Sequence, residues 1–273
     1  MKLGMRGHDF GKMAEDVLFE FIKSKGFDTI QLAPVKAIKG INSFNDITEA
    51  HIEKIKEEAD KAKVEISVLG CYIEPSLTDK EARLGQVSIF QKNIEYAKVF
   101  GSMIGTETTH LDPRTSTAER EKIYELLLDS VLRMVETAEK HSVDITIEPV
   151  ADHTLNTAEL TKRLLEDVNS ERLKLIFDPF NVLLSSEVDI QTKVYDIYFE
   201  LVGKYIEIIH MKGLEIENSE KTWTTLEKGL INYEYIFNWL HKNKPNIPIL
   251  REHIMLETYK EDLQFMRRFI KPC

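Results

Sequence analysis

The chain has 273 residues, 42% hydrophobic and 30% charged, with a formal net charge of −10, a composition that supports a large buried core and does not fit disorder. The acidic balance, with Lys and Arg dispersed, disfavours nucleic acid and anionic membranes as partners, because both call for clustered basic residues facing phosphates. Two cysteines, Cys71 and Cys273, make neither a disulfide framework nor a CxxC metal site, and no apolar run approaches the roughly 18 residues of a membrane span.

The amino terminus MKLGMRGHDF turns polar by Arg6 and shows no signal-peptide pattern, so a cytoplasmic location is expected. No Pro/Gly/Ser-rich linker or low-complexity tract interrupts the chain, and one domain over 1–273 is expected. Short β-type runs alternate with helical patterns throughout. KLGMR (2–6) is the first strand. The helix after it carries Met13, Ala14, Val17, Leu18, Phe21 and Ile22 on one stripe, with Gly26 placed for a left-handed C-cap. DTIQLA (28–33), EISVLG (65–70) and SMIGT (102–106) follow as strands. Capping-box pairs at Asp46 with Glu49, Thr78 with Glu81, Ser116 with Glu119 and Asn156 with Glu159 mark four helix starts. After the third of these, Ile123, Leu126, Leu127, Val131, Met134, Val135 and Ala138 repeat the one-sided helical pattern. DITIE (144–148), LKLIFD (173–178), IEIIH ending on His210, and IPILRE (247–252) complete the strands.

Eight βα units in a chain of this length match a closed (β/α)8 TIM barrel, typically about 250 residues, better than an open doubly wound sheet. No GxGxxG or GxxxxGK turn follows any strand, which argues against a dinucleotide or nucleoside-triphosphate site.

In such a barrel the C-terminal strand ends form the face that carries chemistry. The last four strands end on Glu148, Asp178, His210 and Glu252. Each has a plain structural reading: Glu148 as a loop residue before Pro149, Asp178 as a turn or cap residue before Pro179, His210 as a hydrogen-bonded barrel histidine, Glu252 as a partner of Arg251 or His253. Four metal-ligand types at one relative position outweigh those separate readings, because charges in a barrel mouth cost heavily unless paired or metal-bound. Three carboxylates and one imidazole, with no thiolate, suit a divalent ion that keeps open positions: Mn²⁺, Mg²⁺ or Co²⁺ foremost, with Zn²⁺ a further candidate.

Around this set, His8, Asp9, Glu107, His110 and His153 follow strands one, four and five, where side chains line a pocket or stand in solvent; His8 and Glu107 are the preferred substrate contacts. Lys212, two past His210, is placed to stabilise an enediolate oxyanion or hold a hydroxyl, with a surface salt bridge as the alternative. Trp223, in the long segment after strand seven, is a candidate apolar wall over the mouth, with core packing as the alternative. His141 and His241 fall at helix C-termini, where they compensate the helix dipole. No Arg or Lys cluster accompanies the carboxylates, which favours an unphosphorylated sugar, keto acid or polyol over a phosphate ester.

IEP at 147–149, FDPFN at 177–181, IHMK at 209–212 and Glu252, with RGHD at 6–9 and GTETTH at 105–110, resemble the sugar phosphate isomerase/epimerase superfamily, the xylose isomerase-like TIM barrels. That group includes ketose 3-epimerases, hydroxypyruvate isomerases and inosose dehydratases, and the resemblance covers essentially the whole chain. It implies that Glu148, Asp178, His210 and Glu252 bind one divalent metal, and that Glu148 and Glu252 also act as acid and base. The implied activity is metal-dependent isomerisation or epimerisation of a sugar, polyol or keto acid; a metal-dependent dehydratase or lyase of the same superfamily is the alternative. Epimerases commonly carry a histidine three past the metal aspartate, where this chain has Asn181, an amide that still hydrogen-bonds a sugar hydroxyl. The arginine some of them place after the metal histidine is not evident in MKGLEIEN. The superfamily also contains apurinic endonucleases with a three-metal cluster. Those need further histidines and aspartates, whereas here Asn181 follows FDPF, no Asp-x-His pair follows strand seven, and Cys71 stands near where a first-half ligand is wanted. A barrel that only binds sugar is disfavoured by intact Glu148 and Glu252. Homo-oligomers are common among barrels of this kind.

Overall fold

In the computed structural model, which describes residues 1–270, strand β1 (Leu3–Arg6) pairs in parallel with β2 (Thr29–Leu32) on one side and with β10 (Ile249–Arg251) on the other, so the sheet closes on itself. Cys273 lies outside the described residues. From β2 the sheet continues through β3 (Glu65–Gly70), β4 (Met103–Glu107), β5 (Ile145–Glu148), β6 (Leu173–Phe177) and β7 (Ile206–Met211) to β10, eight strands in a closed barrel. This is the (β/α)8 TIM barrel that the alternating pattern predicts.

Helices α1 (Glu15–Ser24), α2 (Pro34–Ala37), α3 (Glu49–Ala62), α4 (Lys80–Phe100), α5 (Thr117–His141), α6 (Ala158–Val168), α7 (Gln191–Val202), α8 (Tyr233–Asn243) and α9 (Tyr259–Arg267) run between and after the strands. The stripe expected for α1 is shifted: Leu18, Phe19 and Ile22 are buried while Val17 is 49% exposed. Met13 lies outside the helix, bridged to Ile38, so the helical face is counted from Glu15. Gly26 does take a left-handed φ of +89° just past the helix end. In α5, Leu127, Val131, Met134, Val135 and Ala138 are buried as expected, joined by Tyr124 and Ser130.

Of the four caps, Ser116 with Glu119 forms the full reciprocal box. The others fall on a neighbouring residue. Thr48 caps α3, Asp79 accepts from Ala82 N at 2.8 Å for α4, and Thr157 accepts from Leu160 N at 3.1 Å for α6. In each case a second capping oxygen stands within two residues of the expected one, and the extended residue directly ahead of the first helical turn takes the role. Asp46 instead accepts from the Asn42 and Ser43 amides, at 2.9 and 2.8 Å.

Alternation along the strands divides the barrel into two faces. Outward residues such as Phe177 pack on the helices; its ring meets Tyr195, Tyr198 and Phe199 at centroid distances of 5.8, 5.7 and 5.3 Å, and burying such a side chain contributes roughly 1.5–3 kcal/mol. Inward, Val68, Ile176, Ile208 and Leu250 form a closed apolar cluster. Gly105 completes this layer because a Cβ there would lie 2.5 Å from Thr146 Oγ1 and 3.0 Å from Val68 Cγ2. The apolar floor leaves the strand ends above it as a separate polar layer.

One element lies outside the alternating βα pattern. Between β7 and α8 a two-stranded antiparallel hairpin forms from β8 (Gly213–Glu217) and β9 (Glu220–Thr224). Its loop is Asn218-Ser219, both at positive φ (51° and 67°), as a two-residue hairpin turn of the twist-matched kind requires. Serine in the second place hides the usual Asn-Gly signal. No helix among the described residues is long and apolar enough to cross a membrane.

Candidate metal centre at the barrel mouth

Two residues above the apolar cluster, the inward positions of the last four barrel strands are Glu148, Asp178, His210 and Glu252, all at least 96% buried. His210 is the hub. Its Nδ1 lies 3.1 Å from Glu148 Oε2, 3.4 Å from Glu252 Oε1 and 3.9 Å from Asp178 Oδ2. Glu148, Asp178 and His210 each offer a ligand atom within 4.8 Å of the others. Glu252 stands outside that tightest group but in contact with its imidazole.

Local chain geometry aims these groups. Asp178 begins a turn in which its Oδ1 accepts from Phe180 N at 2.8 Å and Asn181 N at 3.2 Å, an arrangement the Asp-Pro sequence favours. That turn leaves Oδ2 turned to the mouth. Behind Glu252, the buried Arg251 donates from Nε to Asp262 Oδ2 at 2.9 Å, from Nη1 to Met211 O at 3.2 Å and from Nη2 to Thr224 O at 3.2 Å. A salt bridge between Arg251 and Glu252, one of the plain readings, is therefore replaced by a pair with α9.

Lys212 is 4% exposed, with Nζ 2.8 Å from Asp178 Oδ2 and 3.0 Å from Glu252 Oε2. The surface salt bridge that the sequence also allowed is thus excluded. Arg6 reaches Glu252 Oε2 at 3.4 Å and Asp9 Oδ1 at 2.7 Å. Basic groups do accompany the carboxylates, contrary to the sequence expectation, because alternation brings Arg6 and Lys212 inward from separate segments. Burial opposes charging of His210, yet Glu252, Glu148 and Asp178 together push its pKa up to about 9. Burial likewise works against Glu252, but Lys212, His210 and Arg6 hold its carboxyl well below the usual range. Asp178 Oδ2 and both His210 nitrogens, all buried, have no directed hydrogen bond among the described residues. Buried polar atoms left this way are rare. A hard-to-borderline divalent ion fits this donor set, since it accepts lone pairs from carboxylate and imidazole together and offsets their burial.

The remaining expected residues fall in distinct places. Asn181 Nδ2 donates to Glu148 Oε1 at 2.5 Å, so it orients a glutamate rather than standing free for a hydroxyl. Glu107 is the register partner of Glu148, and burial together with that carboxylate pushes its pKa up to about 7. His8 lies edge-on to Tyr72 with centroids 6.4 Å apart, and burial, Arg6 and Lys36 push its pKa down to about 3, leaving a neutral imidazole. Asp9 is occupied by Arg6 and by Ile254 N at 3.1 Å. Trp223 sits on the hairpin, 58% exposed, stacked on the His253 ring at 4.0 Å; it is not a core residue. His110 and His153 pair on the rim. His241 Nε2 lies 2.7 Å from Phe269 O, so it bonds a backbone carbonyl beyond any dipole effect.

Several mouth residues escaped sequence reading: Arg6, Gln31, Lys36, Tyr72, Lys221 and His253. Gln31 donates to the Tyr72 hydroxyl at 2.7 Å, and Lys36 Nζ lies 3.9 Å above the Tyr72 ring. Lys221, on the hairpin, donates to Phe180 O at 2.8 Å and Leu183 O at 2.6 Å, tying β9 to the loop after Asp178. Applied to the first half, the strand-end rule finds Arg6, the last residue of β1, but not Tyr72, which stands two residues past β3.

Fold and site define a TIM barrel whose C-terminal mouth gathers carboxylates around one imidazole. The chain belongs to the xylose isomerase-like TIM barrel family, whose pattern it matches over residues 19–269. No curated protein sequence matches it. Among solved structures it is similar to a D-tagatose 3-epimerase-like protein (TM-score 0.80, 16% identity, covering 99% of this chain and 97% of that one). It is also similar to 3-keto-D-glucoside 4-epimerase from E. coli (TM-score 0.75, 17% identity, 98% and 99%). A third likeness is the IOLI protein with a binding zinc atom (TM-score 0.73, 18% identity, 98% and 96%).

Proposed function

We propose that the chain is a divalent-metal-dependent isomerase or epimerase of a sugar, polyol or keto acid, transferring a proton at a carbon next to a carbonyl. The observation that carries this reading is the burial of Glu148, Asp178 and His210 around one point, with Glu252 against the same imidazole. Those four residues would hold the ion, Mn²⁺, Mg²⁺ or Co²⁺ foremost and Zn²⁺ as a further candidate, and when bound it supplies polarisation of a carbonyl oxygen.

Glu148 and Glu252 stand on β5 and beyond β10, three strands apart round the barrel, and so approach a bound substrate from different sides. One removes the α-proton through a carboxylate oxygen and the other returns it; return to the opposite face gives epimerisation, return to the neighbouring carbon gives isomerisation. Asn181 orients Glu148 for this role. Lys212 places an ammonium beside Asp178 and Glu252, where it stabilises negative charge developing on a substrate oxygen. His8 and Glu107, with Gln31 and Tyr72, offer donors and acceptors to hydroxyls on the other side of the mouth. Trp223 on its hairpin forms an apolar wall. Acting on a small sugar in the cytoplasm, the site needs neither nucleic acid nor membrane.

The same proton abstraction begins β-elimination, and the buried Lys212 ammonium can donate to a departing oxygen, so a dehydratase is the second reading. The first half of the mouth does carry His8 and Asp9, but Asp9 is taken up by Arg6 and Ile254 N and neither residue joins the Glu148, Asp178 and His210 group, which does not favour a three-metal nuclease centre.

The test is deuterium uptake. Metal-stripped protein, resupplied with Mn²⁺ in D₂O, is incubated with ketoses, inososes and hydroxy-keto acids, beside Glu148→Gln and Glu252→Gln. Metal-dependent exchange at a carbon next to a carbonyl, lost in both variants, supports the proposal, and loss of water from the product assigns the dehydratase branch. Exchange that survives both substitutions rejects the two-glutamate mechanism.

A further inference from the structure

Beyond β4 and β5, the loops leaving the barrel touch at one antiparallel bridge between His110 and His153. Leu111 N donates to Asp152 O at 2.9 Å and Thr154 N to Thr109 O at 2.8 Å, so the bridge is fastened on both sides. His153 N also donates to Val150 O at 2.9 Å. This backbone sets the two imidazoles edge to face, with centroids 5.9 Å apart, and puts the Asp152 carboxylate between them. His110 Nδ1 lies 3.6 Å from Asp152 Oδ2, and His153 Nε2 lies 3.9 Å from Asp152 Oδ1. In a tetrahedral site with bonds of about 2.0 Å, neighbouring ligand atoms are roughly 3.3 Å apart. Small side-chain rotations close that difference.

The cluster is not explained as an ion pair. Among the described residues, no Lys or Arg lies within 4.0 Å of Asp152, so the two imidazoles are its close basic neighbours.

We propose that His110, Asp152 and His153 form a second divalent-metal site, on the rim of the barrel mouth, which takes a first-row transition ion such as Zn²⁺ and rejects Mg²⁺. Two imidazoles and one carboxylate suit Zn²⁺, with water in the open position, whereas Mg²⁺ prefers an oxygen shell. The three ligands come from the loops after β4 and β5, so the ion fastens the loop that follows Glu148 to its neighbour. The rim site stands on its own residues and does not depend on the reading of the barrel centre.

The test is metal stoichiometry and affinity on the stripped full chain, by equilibrium dialysis with elemental analysis and by calorimetry, with Zn²⁺ and Mg²⁺ as probes. The variants are His110→Ala, Asp152→Asn and His210→Ala. His110 is more than half exposed, so its removal leaves the core intact. The wild type should bind one more Zn²⁺ than either rim variant. His210→Ala should keep a Zn²⁺ that His110→Ala, added to it, weakens on the order of a hundredfold or more, beyond the effect of losing an outer-shell partner. Equal Zn²⁺ stoichiometry and affinity in wild type and His110→Ala overturns the proposal, and this comparison holds even if His210→Ala does not fold. Mg²⁺ binding that the rim substitutions remove would also overturn it.

Discussion

The two halves of the barrel mouth are built on the same alternation and made of different chemistry. From β5 onward the inward strand ends are Glu148, Asp178, His210 and Glu252, fully buried and in mutual contact. Across β1 to β4 the corresponding inward groups are Arg6, Gln31, Tyr72 and Glu107, of which Gln31 and Tyr72 satisfy one another at 2.7 Å. One half concentrates charge that is stable only when compensated, and the other offers hydrogen bonds that are compensated already. Under the proposed function the second half would do the chemistry and the first half hold the substrate, and substitutions can break that division.

The largest effect is expected in the charged half. Glu148→Gln and Glu252→Gln should each lower kcat on the order of 10³-fold with KM little changed, because under the proposed function each removes a proton-transfer group and keeps its shape. Steady-state kinetics on the substrate found by deuterium exchange checks this. Next comes the support behind Glu252. Arg251→Met should lower unfolding free energy by about 3–5 kcal/mol in urea titration, since it leaves Asp262, 0% exposed, without its cation. By contrast, the exposed pair Lys23–Asp28, 2.5 Å apart at the N-terminal end of β2 and away from the mouth, should cost under about 1 kcal/mol when Lys23 becomes Ala. Smaller again, Gln31→Ala and Tyr72→Phe should raise KM about three- to tenfold at nearly constant kcat, the worth of one hydrogen bond. A kcat effect as large as that of Glu148→Gln would erase the division between the halves.

The same contrast governs what was legible in the sequence. Glu148, Asp178, His210 and Glu252 stand out because each interrupts an apolar run at a strand end, and a charge there needs a reason. Tyr72, two residues past β3, and Gln31, inside β2, interrupt nothing, since a tyrosine or glutamine in or near a strand is ordinary. Lys36 reaches the mouth from a four-residue helix that has no periodicity to read. Helix existence was readable from periodicity, while three of four caps moved by one or two residues because Thr48, Asp79 and Thr157 compete as acceptors. The hairpin at 213–224 was unreadable for another reason: Ser219 stands where a glycine would mark the two-residue turn, and its ties to the mouth, through Lys221 and the Trp223–His253 stack, join segments distant in the sequence.

Glu107 sits at the seam, a first-half residue whose register partner is Glu148. Its pKa is pushed up to about 7 by burial and then by that neighbour, so the folded state keeps a proton that the unfolded chain releases nearer 4.5. A raised carboxyl pKa stabilises the fold below the unfolded value, and that contribution disappears as pH rises through about 7. In metal-free protein, wild type should therefore lose stability between pH 5 and pH 8 relative to Glu107→Gln, whose amide is neutral throughout. The difference, about 2 kcal/mol, should be read as diverging thermal midpoints, the two proteins close at pH 5 and the variant higher at pH 8. Parallel curves across that range would mean that neither burial nor Glu148 raises the Glu107 carboxyl, and the seam between the halves would then lie elsewhere.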